Sequence, residues 1–154
     1  KNADYVESLS SLGPRDVLPG IRGLIEEMRR REIRVGLASA SKNAPRILDA
    51  LGMRAHFDRI ADPSAVPHGK PAPDLFLEAA RVLGVEPHDC IGIEDAIAGI
   101  ESINAAGMVS VGVGDVKLMA SHGAHVFFPS TESMTFADLV DRCCEAANSI
   151  RSAN

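Results

Sequence analysis

Apolar positions along the chain follow helical and strand rhythms in turn. Ile21, Leu24, Ile25 and Met28 fall at i, i+3, i+4 and i+7, which predicts a helix over 20–31 with one buried stripe. Its back face, with Arg22, Glu26, Arg29 and Arg30, reads as a solvated surface. Ile33 to Ala38 reads as a strand running into the polar turn Ser39-Ala40-Ser41-Lys42-Asn43. The next helix starts near Pro45, a favoured first-turn residue, buries Ile47, Leu48 and Leu51, and ends at Gly52. Arg59-Ile60-Ala61 is a short strand, and a proline-rich loop from Asp62 to Pro73 leads into a helix over Pro73 to Leu83. Cys90 to Ile93 is a buried strand, followed by Glu94-Asp95 and a helix over about 95–106. Val109, Val111 and Val113 mark a fourth strand, 116–121 a short helix, and His125 to Phe128 a fifth strand. Thr135 caps the last helix, with Asp138 placed as in a capping box and Phe136, Leu139, Val140, Cys143 and Ala147 on its apolar face. Upstream, residues 2–12 read as the end of a helix that Gly13-Pro14 breaks.

Alternating strands and helices, with strands that are short apolar runs, predict an α/β fold: a parallel sheet with helices on both faces. Ligands of such sheets sit at the carboxyl ends of the strands. Three polar features fall at that edge: Ser39 to Asn43, Lys70, and Glu94-Asp95.

Composition narrows the classes without choosing among them. A chain of 154 residues is most simply one domain, and its 45% hydrophobic and 24% charged residues are ordinary for a globular protein. A net charge of −5 with no basic run argues against nucleic acid. The sequence has no apolar run of transmembrane length and no signal-peptide pattern, so a cytoplasmic protein without a membrane partner is expected. The three Cys lack CxxC spacing and read as reduced thiols. The five His show no ligand spacing.

Each polar feature has a chemical and a structural reading. Two carboxylates about 4 Å apart repel by up to roughly 4 kcal/mol at an effective dielectric near 20. A hard cation relieves that repulsion at Glu94-Asp95; alternatively Asp95 caps the following helix. Lys70, held extended before Pro71 in a stiff loop, is either a point charge for a phosphate or a surface lysine. Ser39 to Asn43 joins a strand end to a helix start, where free N–H groups and hydroxyls make a phosphate cradle or simply cap the helix. Gly112-Val113-Gly114 is only half a dinucleotide fingerprint.

Taken together, these segments resemble the haloacid dehalogenase superfamily of phosphotransferases, in its β-phosphoglucomutase-like branch. Ala38 to Asn43 resembles the second motif in its mutase form, Gly69-Lys70-Pro71-Ala72-Pro73-Asp74-Leu75-Phe76 the third, and Gly92-Ile93-Glu94-Asp95 with Ala98-Gly99-Ile100 the fourth. Val17-Leu18-Pro19-Gly20-Ile21 looks like the entry to the core domain. The resemblance implies two parts: residues 1–16 as the end of a helical cap domain and linker, and 17–154 as a partial Rossmann-like core. It also implies roles. Ser39 and the Ala40 amide would bind the transferring phosphoryl group, and Lys70 would neutralise charge on it. Ser41, Lys42 and Asn43 would grip a second phosphate, Glu94 and Asp95 would hold Mg²⁺, and Lys1 would reach the substrate from the cap. The implied reaction is Mg²⁺-dependent phosphoryl transfer converting β-glucose 1-phosphate to glucose 6-phosphate in a monomer. A sugar-phosphate phosphatase and a non-catalytic sugar-phosphate binding module are the alternatives.

One departure is plain. The family's first motif, an apolar strand ending in Asp-x-Asp that carries the nucleophile and the general acid/base, is absent. In the family fold that strand lies at the sheet centre, between 33–38 and 90–93. Leaving out about five buried apolar residues forfeits something like 10 kcal/mol, comparable with a whole domain's stability of about 5–15 kcal/mol. The expectation is therefore that these residues are the C-terminal part of a longer protein, inactive without the rest.

Overall fold

The computed structural model describes residues 11–153. The helix expected over 2–12 and the Lys1 site residue lie outside them, apart from Ser11 and Leu12, which are not helical. The elements are α1 (Ile21–Arg30), β1 (Gly36–Leu37), α2 (Ala44–Ala50), β2 (Arg59–Ile60), α3 (Asp74–Leu83), β3 (Ile91–Glu94), α4 (Ile97–Ala105), β4 (Val109–Val113), α5 (Val116–Ser121), β5 (Val126–Phe128) and α6 (Phe136–Ser152). Single turns of 3₁₀ helix at Pro14–Asp16, Arg54–His56, Pro63–Ala65 and Pro87–Asp89 fill the corners.

All strand pairs are parallel, but they form two sheets: β1-β2, and β3-β4-β5. Helices cover both faces. On one, Leu24 and Met28 of α1 and Leu139 and Cys143 of α6 pack on Val109, Val111, Val126 and Phe128. On the other, Phe76 and Ala80 of α3 meet Ile103 of α4, with Ala106 and Met108. Val111, Ile100, Ile103 and Leu139 are wholly buried, each contributing about 1.5–3 kcal/mol against exposure.

Between the sheets lies a gap. No described strand joins β1 to β3, and a cavity of about 580 Å³ separates them, walled by Val35, Ala38, Phe76, Leu83, Ile91 and Met108 among others. Ile91 and Ile93 of β3 each keep 37% of their surface exposed, a large share for the strand residues of a parallel sheet. The sheet thus lacks the central strand that the sequence comparison of motifs anticipates. The strand expected over Ile33 to Ala38 shrinks to Gly36–Leu37 for the same reason: it finds a partner on one side only.

α3 fixes the direction of both flanking strands. Its end is tied to the start of β1, where the Arg34 guanidinium donates to the carbonyls of Leu83 (2.8 Å) and Gly84 (2.9 Å). The loop before its start is tied to the end of β3 through Lys70 and Glu94. So β1 and β3 both run against α3, and their carboxyl ends share one edge.

Two details differ from the sequence reading. The face of α1 with Arg22 and Arg29 is not simply solvated, because these residues donate to the carbonyls of Leu51 and Ala55 and dock α1 on the turn after α2. At α6, the Thr135 hydroxyl accepts from the Asp138 N–H (3.2 Å) as expected. The Asp138 carboxylate, however, accepts from the Thr135 hydroxyl (2.7 Å), while the Thr135 N–H donates to the Ser133 carbonyl, so the box is half-closed. The three cysteines are free; burial pushes the Cys143 thiol up to about 11. Among the described residues no helix is long and apolar enough to cross a membrane.

Candidate active site

The carboxyl edge of the strands collects the three polar features. The most definite arrangement is at Lys70, whose ammonium lies against one oxygen of Glu94. Both side chains are largely buried, 19% and 12% exposed. The ammonium also sits 5.0 Å over the Phe76 ring, a cation–π contact from the first turn of α3. The other Glu94 oxygen accepts from the N–H groups of Asp95 (3.0 Å) and Ala96 (3.2 Å). Burial pushes the Glu94 carboxyl up, but the Lys70 hydrogen bond and charge and the two amides outweigh it, so its pKa falls below the ordinary range.

This geometry separates the roles of the two adjacent carboxylates. Glu94 is fully engaged. Asp95 does not cap α4: the cap position is Ala96, with no side-chain bond. The Asp95 side chain is left exposed at the edge. Among the described residues no three His, Cys, Asp or Glu side chains converge as a complete cation site. Mg²⁺ uses one or two carboxylates and draws the rest of its shell from phosphate and water, so Asp95 with Glu94 beside it fits as a partial donor set.

The loop carrying Lys70 is held from below. The wholly buried Ser102 of α4 donates its hydroxyl to the Ala72 carbonyl (2.6 Å). His68 and Asp74 meet at 3.1 Å across the loop. The Lys70–Pro71 peptide bond is cis.

The Ser39–Asn43 turn is built differently. The Ser39 hydroxyl accepts from the Ser41 N–H and the Ser41 hydroxyl from the Asn43 N–H, both at 3.2 Å. Asn43 occupies the cap position of α2 without a side-chain bond, so neither Ser41 nor Asn43 caps that helix as the structural alternative required. Ala40 and Lys42 are exposed. Lys42 lies near enough to Asp62 to help lower that carboxyl's pKa, after the larger effects of the Ser64 hydroxyl and amide. No described hydrogen bond or ion pair joins this turn to Lys70 or Glu94. Their shared neighbour is the Phe76 cluster, on which Ala38 also packs.

Two contributors escape a reading of charged residues. Phe76 forms the floor under Lys70. Gly99, in the first turn of α4, leaves room for the Glu94 side chain, since a Cβ there would overlap the carboxylate. A glycine inside a helix costs about 0.5–1 kcal/mol against Ala, and that local misfit in an otherwise apolar helix start is the signal that could have found it.

The chain has relatives named as a β-phosphoglucomutase and a fructose-1-phosphate phosphatase. It is 47% identical over 135 residues to the β-phosphoglucomutase of Bacillus subtilis, covering 88% of this chain and 59% of that protein. It is 44% identical over 90 residues to the fructose-1-phosphate phosphatase YqaB of Escherichia coli, covering 58% of this chain and 46% of that protein. The crystal structure of β-phosphoglucomutase from Clostridium difficile superposes with a TM-score of 0.90 at 41% identity, over 94% of this chain and 64% of that one. The chain thus spans less than two thirds of each of these proteins. The model of the haloacid dehalogenase-like hydrolases matches residues 3–107, and on that match and these relatives the chain belongs to the haloacid dehalogenase-like hydrolase family.

Proposed function

We propose that this chain carries the phosphate-handling part of a β-phosphoglucomutase-like phosphotransferase acting on a sugar phosphate. The observation that carries the reading is the Lys70–Glu94 pair over Phe76 at the carboxyl edge. A desolvated ammonium held on a carboxylate anchor is preorganised for a phosphoryl group, and such preorganisation is the main source of catalysis in phosphoryl transfer.

In this reading Lys70 balances charge on the transferring group, while Glu94 keeps the ammonium in place. Ser39 and the exposed Ala40 amide bind the same group from the β1 side. Ser41, Lys42 and Asn43 hold the second phosphate of a bisphosphate, which is what separates a mutase from a simple phosphatase. Asp95 is the direct Mg²⁺ ligand, with Glu94 acting on it through water. When bound, Mg²⁺ would neutralise phosphate charge at this edge. Lys1, outside the described residues, is proposed to reach the substrate from the cap side. The nucleophile is expected from a segment not within these 154 residues, so this chain alone is expected to bind without turning over, as a protein of the cytoplasm that is monomeric when complete.

The test is a calorimetric titration of β-glucose 1-phosphate into the chain with and without Mg²⁺. Metal-dependent binding, lost in Asp95→Asn, is the expected result; binding indifferent to Mg²⁺ overturns the Asp95 assignment. The likeness to the Escherichia coli fructose-1-phosphate phosphatase favours a second reading, hydrolysis instead of transfer. A coupled assay on the complete protein separates the two: phosphate release without glucose 6-phosphate sinks the mutase. Absence of turnover in that complete protein would leave the third reading, a binding module.

A further inference from the structure

We propose that Ser102 is a positioning residue: by holding the Ala72 carbonyl from within α4, it sets where the Lys70 ammonium stands. The placement itself does not depend on the reaction. That the ammonium so placed serves a phosphoryl group rests on the reading given above.

Ser102 uses its hydroxyl unlike other helical serines of the chain. A serine inside a helix ordinarily spends its hydroxyl on a carbonyl of its own preceding turn. Ser149 does so on Glu145 (3.0 Å) and Ser152 on Asn148 (2.8 Å), both within α6, and Ser121 on Leu118 (2.9 Å) within α5. The wholly buried Ser102 donates instead to Ala72, 30 positions away, at 2.6 Å. Burying a hydroxyl is unfavourable unless it is paired, and an apolar residue would fill the same space without that cost. What the serine adds is a fixed point for one carbonyl.

That carbonyl belongs to the loop of Lys70. The loop closes on itself: the Ala72 N–H donates to the Gly69 carbonyl (3.0 Å), and His68 Nδ1 lies 3.1 Å from Asp74. Lys70 stands inside this closed loop, so a shift of the loop shifts the base of its side chain. Among the described residues, two polar contacts tie the loop to β3 and α4: the Lys70–Glu94 pair and the Ser102–Ala72 bond. The second involves neither charge, so it still holds the loop when the ammonium turns from Glu94 to a ligand.

The same helix holds the other partner. Gly99 precedes Ser102 by three positions, on the same side of α4, and gives the Glu94 side chain its room. Ile103 packs so closely on Gly92 of β3 that a Cβ there would overlap it. One helix thus fixes both the strand that carries Glu94 and the loop that carries Lys70. A misplacement of about 1 Å in a group that orients a substrate can cost on the order of 100-fold in rate, which is the scale at which a single buried hydrogen bond matters.

The experiment reads the Lys70 amine directly, by trace acetylation of the chain with acetic anhydride and peptide mass spectrometry. The exposed Lys117 of α5 is the internal standard. In the parent, Lys70 is paired and 19% exposed, and it should react slowly. Ser102→Ala keeps α4, since Ala is the better helix former, but frees the Ala72 carbonyl; the Lys70 to Lys117 ratio should rise about fivefold or more. Ser102→Cys, which refills the space and donates weakly, should fall between the two. Thr135→Ala, which removes the α6 cap, should leave the ratio at the parent value. A parent-like ratio in Ser102→Ala overturns the proposal, and so does an equal rise in Thr135→Ala, which would make the effect general loosening. If Ser102→Ala fails to fold, Ser102→Cys decides by the same criteria. Titration with inorganic phosphate then tests the route: Ser102→Ala should weaken binding about threefold or more in the parent and not at all in Lys70→Met. An equal loss in both backgrounds overturns the proposal. A parent chain that binds no phosphate counts against the phosphate-handling reading instead, and the acetylation ratios still decide the role of Ser102.

Discussion

Lys70 and Glu94 form a pair whose halves are unequal in what their loss does. Lys70→Met keeps the stem over Phe76 but strands a largely buried carboxylate, costing about 1–3 kcal/mol. The pH dependence identifies the cause. Glu94 has a folded pKa below its ordinary 4.5, so it adds stability above that value which is lost as pH falls through the folded pKa. In Lys70→Met burial is left dominant, the carboxyl rises, and acid should become less destabilising than in the parent. Urea unfolding at pH 7 and pH 4 measures both effects. His125 shows the opposite chemistry in the same direction of pH. Its Nδ1 accepts from the Ser110 N–H (3.0 Å) and lies 2.9 Å from the Ser110 hydroxyl, and burial lowers its pKa. A base depressed by folding takes up its proton more readily unfolded, so stability falls as pH drops below about 6.5. His125→Asn, which retains an acceptor for Ser110, should flatten that fall between pH 7 and 5 in the same unfolding series.

At the scale of elements, α4 and α6 carry the sharper expectations. Gly99→Ala would add roughly 0.5–1 kcal/mol of helix propensity. The new methyl would nevertheless collide with Glu94, so the variant should melt lower and lose sugar-phosphate affinity together. A variant that melts higher with affinity intact would show that Glu94 has room to move. Thr135→Ala should cost about 1 kcal/mol through the lost α6 cap, read from the urea midpoint, with binding unchanged. These elements also show what a sequence discloses. The helices were legible because their stripes, caps and glycine stops are local. α1 and α3 fall within a residue of the ranges predicted from periodicity. Strand length was not legible: Ile33 to Ala38 has a strand's composition, but a strand is counted by its neighbours, and one side of it has none. The candidate site residues were proposed from spacing and family likeness. Their pairing could not be, because Lys70 and Glu94 meet across 24 positions and no local pattern encodes that contact. The same holds for Ser102, a mid-helix serine with no visible purpose until it is found on the Ala72 carbonyl.

Across the whole molecule the divided sheet predicts divided stability. Among the described residues no ladder hydrogen bond links β1-β2 to β3-β4-β5; side-chain packing through α1 and α3, the Arg34 hydrogen bonds to the end of α3 and the Lys70–Glu94 pair couple them instead. Regions that share few contacts open separately. Native-state hydrogen exchange in low urea should therefore give one opening free energy for Leu37 and Ile60 and a larger one for Val111 and Val126; a single common value would mean that packing alone makes the two sheets one cooperative unit.

The order of the strands has a consequence for time as well as for stability. Every ladder in the described chain joins strands that are consecutive in sequence, each pair linked by a single helix. Contacts that close short loops form early, and rates of folding fall as pairings become less local. The two half-sheets are thus built to assemble quickly and independently.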